Sequence, residues 1–269
     1  MNEQLTLKAS QLSVNYGRQQ ALKSLDFCAK PGDLTVLVGP NGCGKSTLLK
    51  ALARVHSPVS GQVLLGDKPL KDLKNRVIAQ KMAYLPQGPV APEGVRVRDL
   101  VAQGRYPHQG FLKQWSEEDE QWVEWAMTQT ALHPLADKDM LALSGGQQQR
   151  AWIAMTLAQN TPVLLLDEPT AFLDLNVQVT LLSLLKHVAH QSQRTIVVVL
   201  HDLNLAASFA DHMVMMKQGQ VVAKGEVKDV YTRENLESTF GLSSVILTDP
   251  LTQRPLCVPK HIDLSVDGL

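Results

Sequence analysis

The sequence predicts an α/β fold with a mostly parallel sheet covered on both faces by helices, and three observations carry that reading. Leu34–Val38 and residues 163–166 and 195–200 are short runs, apolar almost throughout. Each is followed by helical periodicity, over 45–55, 173–190 and 203–210 in turn. A strand apolar on both sides belongs between layers of helix, because a strand with one wet face would alternate.

The remaining elements follow in chain order. Residues 5–16 and 22–29 carry partial alternation and suit antiparallel strands before a tight turn at Pro31-Gly32-Asp33. Residues 88–160 read as a helical insertion, with helices at 97–103, 117–132 and 145–159 and no strand run between them. Ser116 with Asp119 suits a capping box for the middle helix. Past the third apolar run, 213–225 and 245–258 read as hairpins turning at 217–219 and near 252–254. A short helix at 232–240 separates them. The boundaries follow: one domain over 1–262, with 1–87 and 161–240 as core and β subdomain, 88–160 as helical subdomain, 241–262 as a C-terminal hairpin region, and 263–269 as a tail.

Composition narrows the function. The chain has 269 residues, 26 basic and 26 acidic side chains, and a formal net charge of zero, which argues against a dedicated nucleic-acid or anionic-membrane binder. With 44% apolar and 19% charged residues it is not a disordered chain. Three widely spaced cysteines, Cys28, Cys43 and Cys257, make neither a disulfide framework nor a structural zinc site and point to a reducing compartment. No apolar run approaches the roughly 20 residues of a membrane span. The start, MNEQLTLKAS, has no basic stretch leading into an apolar one, so no secretory signal is expected.

Gly39-Pro40-Asn41-Gly42-Cys43-Gly44-Lys45-Ser46 fits G-x-x-x-x-G-K-[ST] between a strand and a helix. The glycines let successive N–H groups curl around a β-phosphate, and the helix opening at Lys45 adds its positive end. Lys45 can reach the β- and γ-phosphates, the Ser46 hydroxyl can ligate Mg²⁺, and Thr47 can bond the α-phosphate. Val163-Leu-Leu-Leu-Asp167-Glu168 is an apolar strand ending in two acids. Asp167 would hold Mg²⁺ through water, and Glu168 would act as general base for the attacking water. Ser144-Gly145-Gly146-Gln147 opens a further helix as a second anion-binding N-terminus. A second cradle makes sense if it caps a γ-phosphate held by a neighbouring subunit. Cys43, near a helix N-terminus, is expected to favour its thiolate, so that maleimides inhibit hydrolysis and ATP protects.

On GPNGCGKST, LSGGQQQR and LLLDEPT, in that order, the chain resembles the ATP-binding cassette family over nearly its whole length. The resemblance implies a phosphate-loop NTPase core with an N-terminal antiparallel β subdomain and an inserted helical subdomain. It also implies ATP and Mg²⁺ as ligands and a head-to-tail homodimer with two ATP sandwiched between phosphate loop and signature. Tyr16 matches the aromatic residue that stacks on adenine. Gln87 matches the glutamine that senses Mg²⁺ and the γ-phosphate. Asp174 matches the loop aspartate at the dimer interface, and His201 the switch histidine on the γ-phosphate. Nothing in these motifs departs from a competent ATPase.

The segments Val97-Arg-Asp-Leu-Val-Ala-Gln-Gly-Arg105-Tyr-Pro-His108, His201-Asp-Leu-Asn-Leu-Ala-Ala207 and Asp249-Pro-Leu-Thr-Gln-Arg-Pro-Leu256 look like the cassettes of bacterial iron-siderophore, haem and cobalamin importers. That resemblance implies two multi-span permease subunits and a periplasmic or surface substrate-binding protein. It implies no nucleic acid, and a peripheral place on the cytoplasmic face of the inner membrane with contact only through the permease. Iron-siderophore or iron-chelate uptake is the favoured cargo, with haem or cobalamin as alternatives. A soluble cassette of iron–sulfur cluster assembly is the reading from another class. A DNA-repair cassette would need a long heptad insertion between Lys45 and Asp167, and none is present.

Overall fold

In the computed structural model, which describes residues 4–91, 93–110 and 115–260, β1 (Leu7–Tyr16) and β2 (Gln19–Ala29) pair antiparallel. Leu7, Ala9, Leu12 and Val14 of β1 point inward with Leu22, Leu25, Phe27 and Ala29 of β2. β2 starts three residues before the expected 22 because Tyr16 already pairs with Gln19 across Gly17-Arg18. β3 (Leu34–Val38) is buried throughout. α1 (Lys45–Leu52) stops short of 55, where Arg54 takes a left-handed φ of 58°. β4 (Ser60–Leu65), β5 (Lys68–Pro69), α2 (Asn75–Lys81) and β6 (Met82–Leu85) come next, and the sequence patterns did not anticipate them. All are short, and α2 buries only Ile78, too little to set up a readable period.

α3 (Val97–Gln103), α4 (Glu117–Gln129) and α5 (Gly145–Ala158) form the expected helical insertion. α4 ends three residues early, its last turn closed by the Thr130 hydroxyl donating to the Ala126 carbonyl at 2.8 Å. Then come β7 (Val163–Asp167), α6 (Leu175–Ser192), β8 (Thr195–Val199), α7 (Leu203–Phe209), β9 (His212–Lys217) and β10 (Gln220–Glu226). α8 (Val227–Val230), α9 (Arg233–Phe240), β11 (Ser244–Thr248) and β12 (Pro255–Pro259) complete the described chain. Both expected C-terminal hairpins form, β9–β10 and β11–β12. The expected tail at 263–269, and residues 261–262 of the hairpin region, lie outside the described residues.

The strands make a six-stranded sheet, β10-β9-β3-β8-β7-β6, and a four-stranded antiparallel sheet, β2-β1-β4-β5. Five strands of the larger sheet run parallel, and only edge strand β10 is antiparallel. Successive residues of its central strands serve opposite layers. Val36, Leu164, Leu166, Ile196 and Val198 pack with the helical insertion and α6. Leu37, Val163, Leu165, Val197 and Val199 pack with α1 and the four-stranded sheet. Burial on both faces explains the unbroken apolar runs.

The insertion is pinned by charge as well as by packing. Arg105, which could have been a solvated turn residue, is 1% exposed. Its Nε donates to Asp119 Oδ1 at 2.9 Å, and its Nη1 donates to the Ala158 carbonyl at 2.9 Å. His108 Nε2 lies 2.8 Å from the next carbonyl, that of Gln159. The segment after α3 therefore caps the C-terminal end of α5, whose last carbonyls have no partner within the helix. Asp119 also closes the expected capping box, accepting from the Ser116 N–H at 3.1 Å while its own N–H donates to Ser116 Oγ at 3.2 Å.

Burial alone would raise the Asp119 pKa, but the hydrogen bonds from Ser116 and Arg105 hold the carboxyl below its ordinary range. Its contribution to stability is therefore complete at neutral pH and is lost as pH falls through that lowered value. Asp119→Ala leaves Arg105 buried without its anion and should cost about 3–5 kcal/mol in urea unfolding at pH 7. Arg105→Met combined with Asp119→Leu should cost clearly less, and an equal loss would show that the packing rather than the charge pair matters.

Candidate active site

Because the central strands run parallel, their C-terminal ends lie on one edge of the sheet, and the loops leaving β3, β6, β7 and β8 meet there. The loop after β3 wraps the Lys45 ammonium, whose Nζ donates to the Gly39 and Pro40 carbonyls at 2.7 and 3.1 Å. Gly44 turns into α1 at φ 107°, where a Cβ would meet the Leu22 side chain at 2.9 Å and the Ala21 carbonyl at 3.0 Å. Glycine is needed both for the angle and for the space. No side chain caps α1 and its first turn holds no acid, so its positive end faces the cleft unopposed.

The start of α1 and the end of β7 are tied across this edge. Ser46 Oγ donates to Asp167 Oδ1 at 3.0 Å, while Asp167 Oδ2 is buried with no hydrogen-bond partner. Burial, with Glu168 beside it, pushes the Asp167 carboxyl above its ordinary range despite the Ser46 hydrogen bond. A hydroxyl, a buried carboxylate oxygen with no partner and a second acid close by form an oxygen-rich set of the kind that suits hydrated Mg²⁺.

Glu168 takes a left-handed φ of 54°, a conformation that costs a non-glycine residue on the order of 1–3 kcal/mol. The turn presents its carboxylate to two other loops. Gln87 Nε2 donates to Oε2 at 2.6 Å, and His201 Nε2 lies 2.5 Å from Oε1. Three strand ends are thus joined through one side chain. Tyr16, at the end of β1, is half exposed and leans on the His56 ring with centroids 4.6 Å apart.

These groups border an open cleft of about 720 Å³. Tyr16, Asn41, Gly42, Cys43, Gly44, Lys45, Ser46, Thr47, Gln87, Glu168 and His201 line it, and Gly39, Pro40 and Asp167 are bonded to residues of that lining. Ser144, Gly145, Gly146, Gln147 and Asp174 do not line it. Ser144 and Gln147 instead cap α5 reciprocally, and Asp174 caps α6 by accepting from the Val177 N–H at 3.0 Å. Sequence reasoning missed Gln20, Lys23, Gln218 and Gly219, which also face the cleft. The turn between β9 and β10 reaches it because Gly219 donates to the Cys43 carbonyl and accepts from the Lys23 N–H, both at 2.9 Å. No local pattern announces a contact between turns so far apart in sequence.

Residues 22–171 match the family model described as ABC transporter. The chain belongs to the ABC transporter family. This cassette is 47% identical to the petrobactin import ATP-binding protein FpuD of Bacillus anthracis, over 95% of its own length and 94% of that protein's. It is 42% identical to the ferric enterobactin transport ATP-binding protein FepC of Escherichia coli (strain K12), over 94% and 93%. Among solved structures it is similar to a chain of an inward-facing transporter assigned to the metal-chelate type of ABC transporter. There the TM-score is 0.81 at 30% identity, over 97% of this chain and 98% of that one.

One expectation about the loop is overturned. Cys43 is 4% exposed, and burial pushes its thiol up although the Lys45 ammonium pulls the other way. Nearness to a helix N-terminus does not outweigh desolvation here. With exposed Cys28 replaced by serine, maleimide should label the cassette slowly at pH 7 with or without ATP. The rate should rise only as pH passes above the ordinary thiol range, where the raised pKa begins to release thiolate. Fast labelling at pH 7 that ATP blocks, read by intact-mass spectrometry, would contradict this.

Proposed function

We propose that this cassette is the ATP-hydrolysing subunit of an importer for ferric siderophores or related iron chelates. The observation that carries the enzymatic half is the convergence of Lys45, Ser46 with Asp167, and Glu168 held between Gln87 and His201 on one cleft. The cargo class is supported by the relatives that import petrobactin and transport ferric enterobactin.

In this reading Tyr16 stacks on adenine, and the loop amides with Lys45 hold the β- and γ-phosphates. Ser46, Gln87 and, through water, Asp167 hold Mg²⁺, which would neutralise phosphate charge. Water attacks the γ-phosphorus and gives its proton to Glu168. The bond to the β-phosphate oxygen breaks, and ADP leaves with the electron pair. Gln87 and His201 engage one site on each Glu168 oxygen and so orient the carboxylate, whose remaining lone pairs can accept that proton.

The signature residues Ser144, Gly145, Gly146 and Gln147, with Asp174, stand apart from the cassette's own cleft and serve the ATP of a second copy in a head-to-tail homodimer. Among the described residues no helix is long and apolar enough to cross a membrane. The dimer sits on the cytoplasmic face of the membrane, held by two multi-span permease subunits supplied by an external substrate-binding protein. The helical insertion at 88–160 carries the signature toward the partner.

Glu168→Gln should lower kcat by about 10²–10⁴-fold, the loss of a general base, and should elute from gel filtration as a dimer with ATP and Mg²⁺. A monomer under those conditions contradicts the sandwich. A pull-down of tagged Glu168→Gln from mildly cross-linked cells should recover a multi-span permease encoded with a siderophore-binding protein. Recovery of soluble assembly factors alone would overturn the importer.

A further inference from the structure

Two segments singled out in the sequence, one after His201 and one near the C-terminus, are locked together in space. Asn204, three residues beyond His201, accepts through Oδ1 from the Cys257 N–H of β12 at 2.8 Å and from the Tyr231 hydroxyl at 3.0 Å. Its Nδ2 donates to the Cys257 carbonyl at 3.2 Å. One residue of β12 thus engages one side chain of α7 through both of its backbone polar groups. Arg254 holds the other end of the helix, donating through Nη1 to the Ala207 and Ala210 carbonyls at 2.9 and 2.5 Å. Tyr231 and Cys257 are buried, so the Asn204 bonds are partly shielded from competing water.

α7 has only seven residues, too few to hold a fixed place by its own hydrogen bonds. Asp202 caps it from within, accepting from the Leu205 N–H at 2.8 Å. Its placement against the core comes from its buried face, Ala206 and Ala207, and from the β11–β12 hairpin. His201 sits between the end of β8 and this helix, with Nε2 at 2.5 Å from Glu168.

We propose that the β11–β12 hairpin is a brace that sets the position of α7, and through it of His201 against Glu168. Asn204 and Arg254 are positioning residues for hydrolysis, an inference that rests on His201 acting in that step. The C-terminal hairpin is therefore a working part of the ATPase, and anything that loosens it turns hydrolysis down without weakening ATP binding.

The test is steady-state ATPase kinetics on the full chain. Asn204→Ala and Arg254→Met should each lower kcat by about ten- to a hundredfold, the scale of a remote misplacement. KM for ATP should stay within about twofold. Arg254→Lys, which keeps a donor for the two carbonyls, should recover much of the loss and keeps the proposal testable if Asn204→Ala folds poorly. In a His201→Ala background Asn204→Ala should add nothing, because the group it positions is gone. Losses that multiply in the double variant, or a rise in KM with kcat intact, overturn the brace. A normal loss in His201→Ala with none in Asn204→Ala overturns the brace alone. Unchanged kcat in His201→Ala overturns the reading of His201 on which it rests.

Discussion

Burial of the parallel sheet on both faces decides where everything else can go. With one layer against α1 and the antiparallel sheet and the other against the helical insertion and α6, the strands of the centre can show side chains to solvent only past their ends. Their shared direction puts all the useful ends on one edge. The loop after β3, the acids after β7, Gln87 after β6 and His201 after β8 meet because the sheet leaves them no other exit. The Ser46–Asp167 bond then fixes the first turn of α1 to the end of β7 on that edge.

The same layering separates the site from the helices that answer to it. α5 begins at the signature serine and ends where Arg105 and His108 grip its last carbonyls. Gln159, at that end, donates through Nε2 to the Ala79 and Met82 carbonyls at 2.6 and 3.2 Å. One helix thus runs from Ser144 to the start of β6, a strand that begins at Met82 and ends two residues before Gln87.

What the sequence disclosed was what lay within a few residues of itself. The loop after β3 was legible because three glycines, a lysine and a hydroxyl fall at fixed spacing within eight consecutive positions. The central strands were legible because burial on both faces leaves an unbroken apolar run. The Ser116–Asp119 capping box was legible because it spans a single turn. β4, β5, α2 and β6 escaped because each is short or buries little. Gln218 and Gly219 escaped because their approach to Cys43 is a fact of tertiary packing. The Cys43 thiol was misread for a related reason: a helix terminus can be seen in a string of letters, but the loss of solvent around a side chain cannot. Arg105 shows the converse, a charged letter in a plausible turn that the fold buries.

Glu168 carries a further consequence. Its left-handed backbone suits glycine or asparagine better than an acid, so the residue the fold would choose at 168 differs from the one the proposed reaction requires. Selection for stability and selection for turnover pull this position in opposite directions. Were the demand for turnover relaxed, as in a duplicated copy freed from service, drift toward a more comfortable backbone would leave a well-folded protein that still grips nucleotide but no longer cuts it.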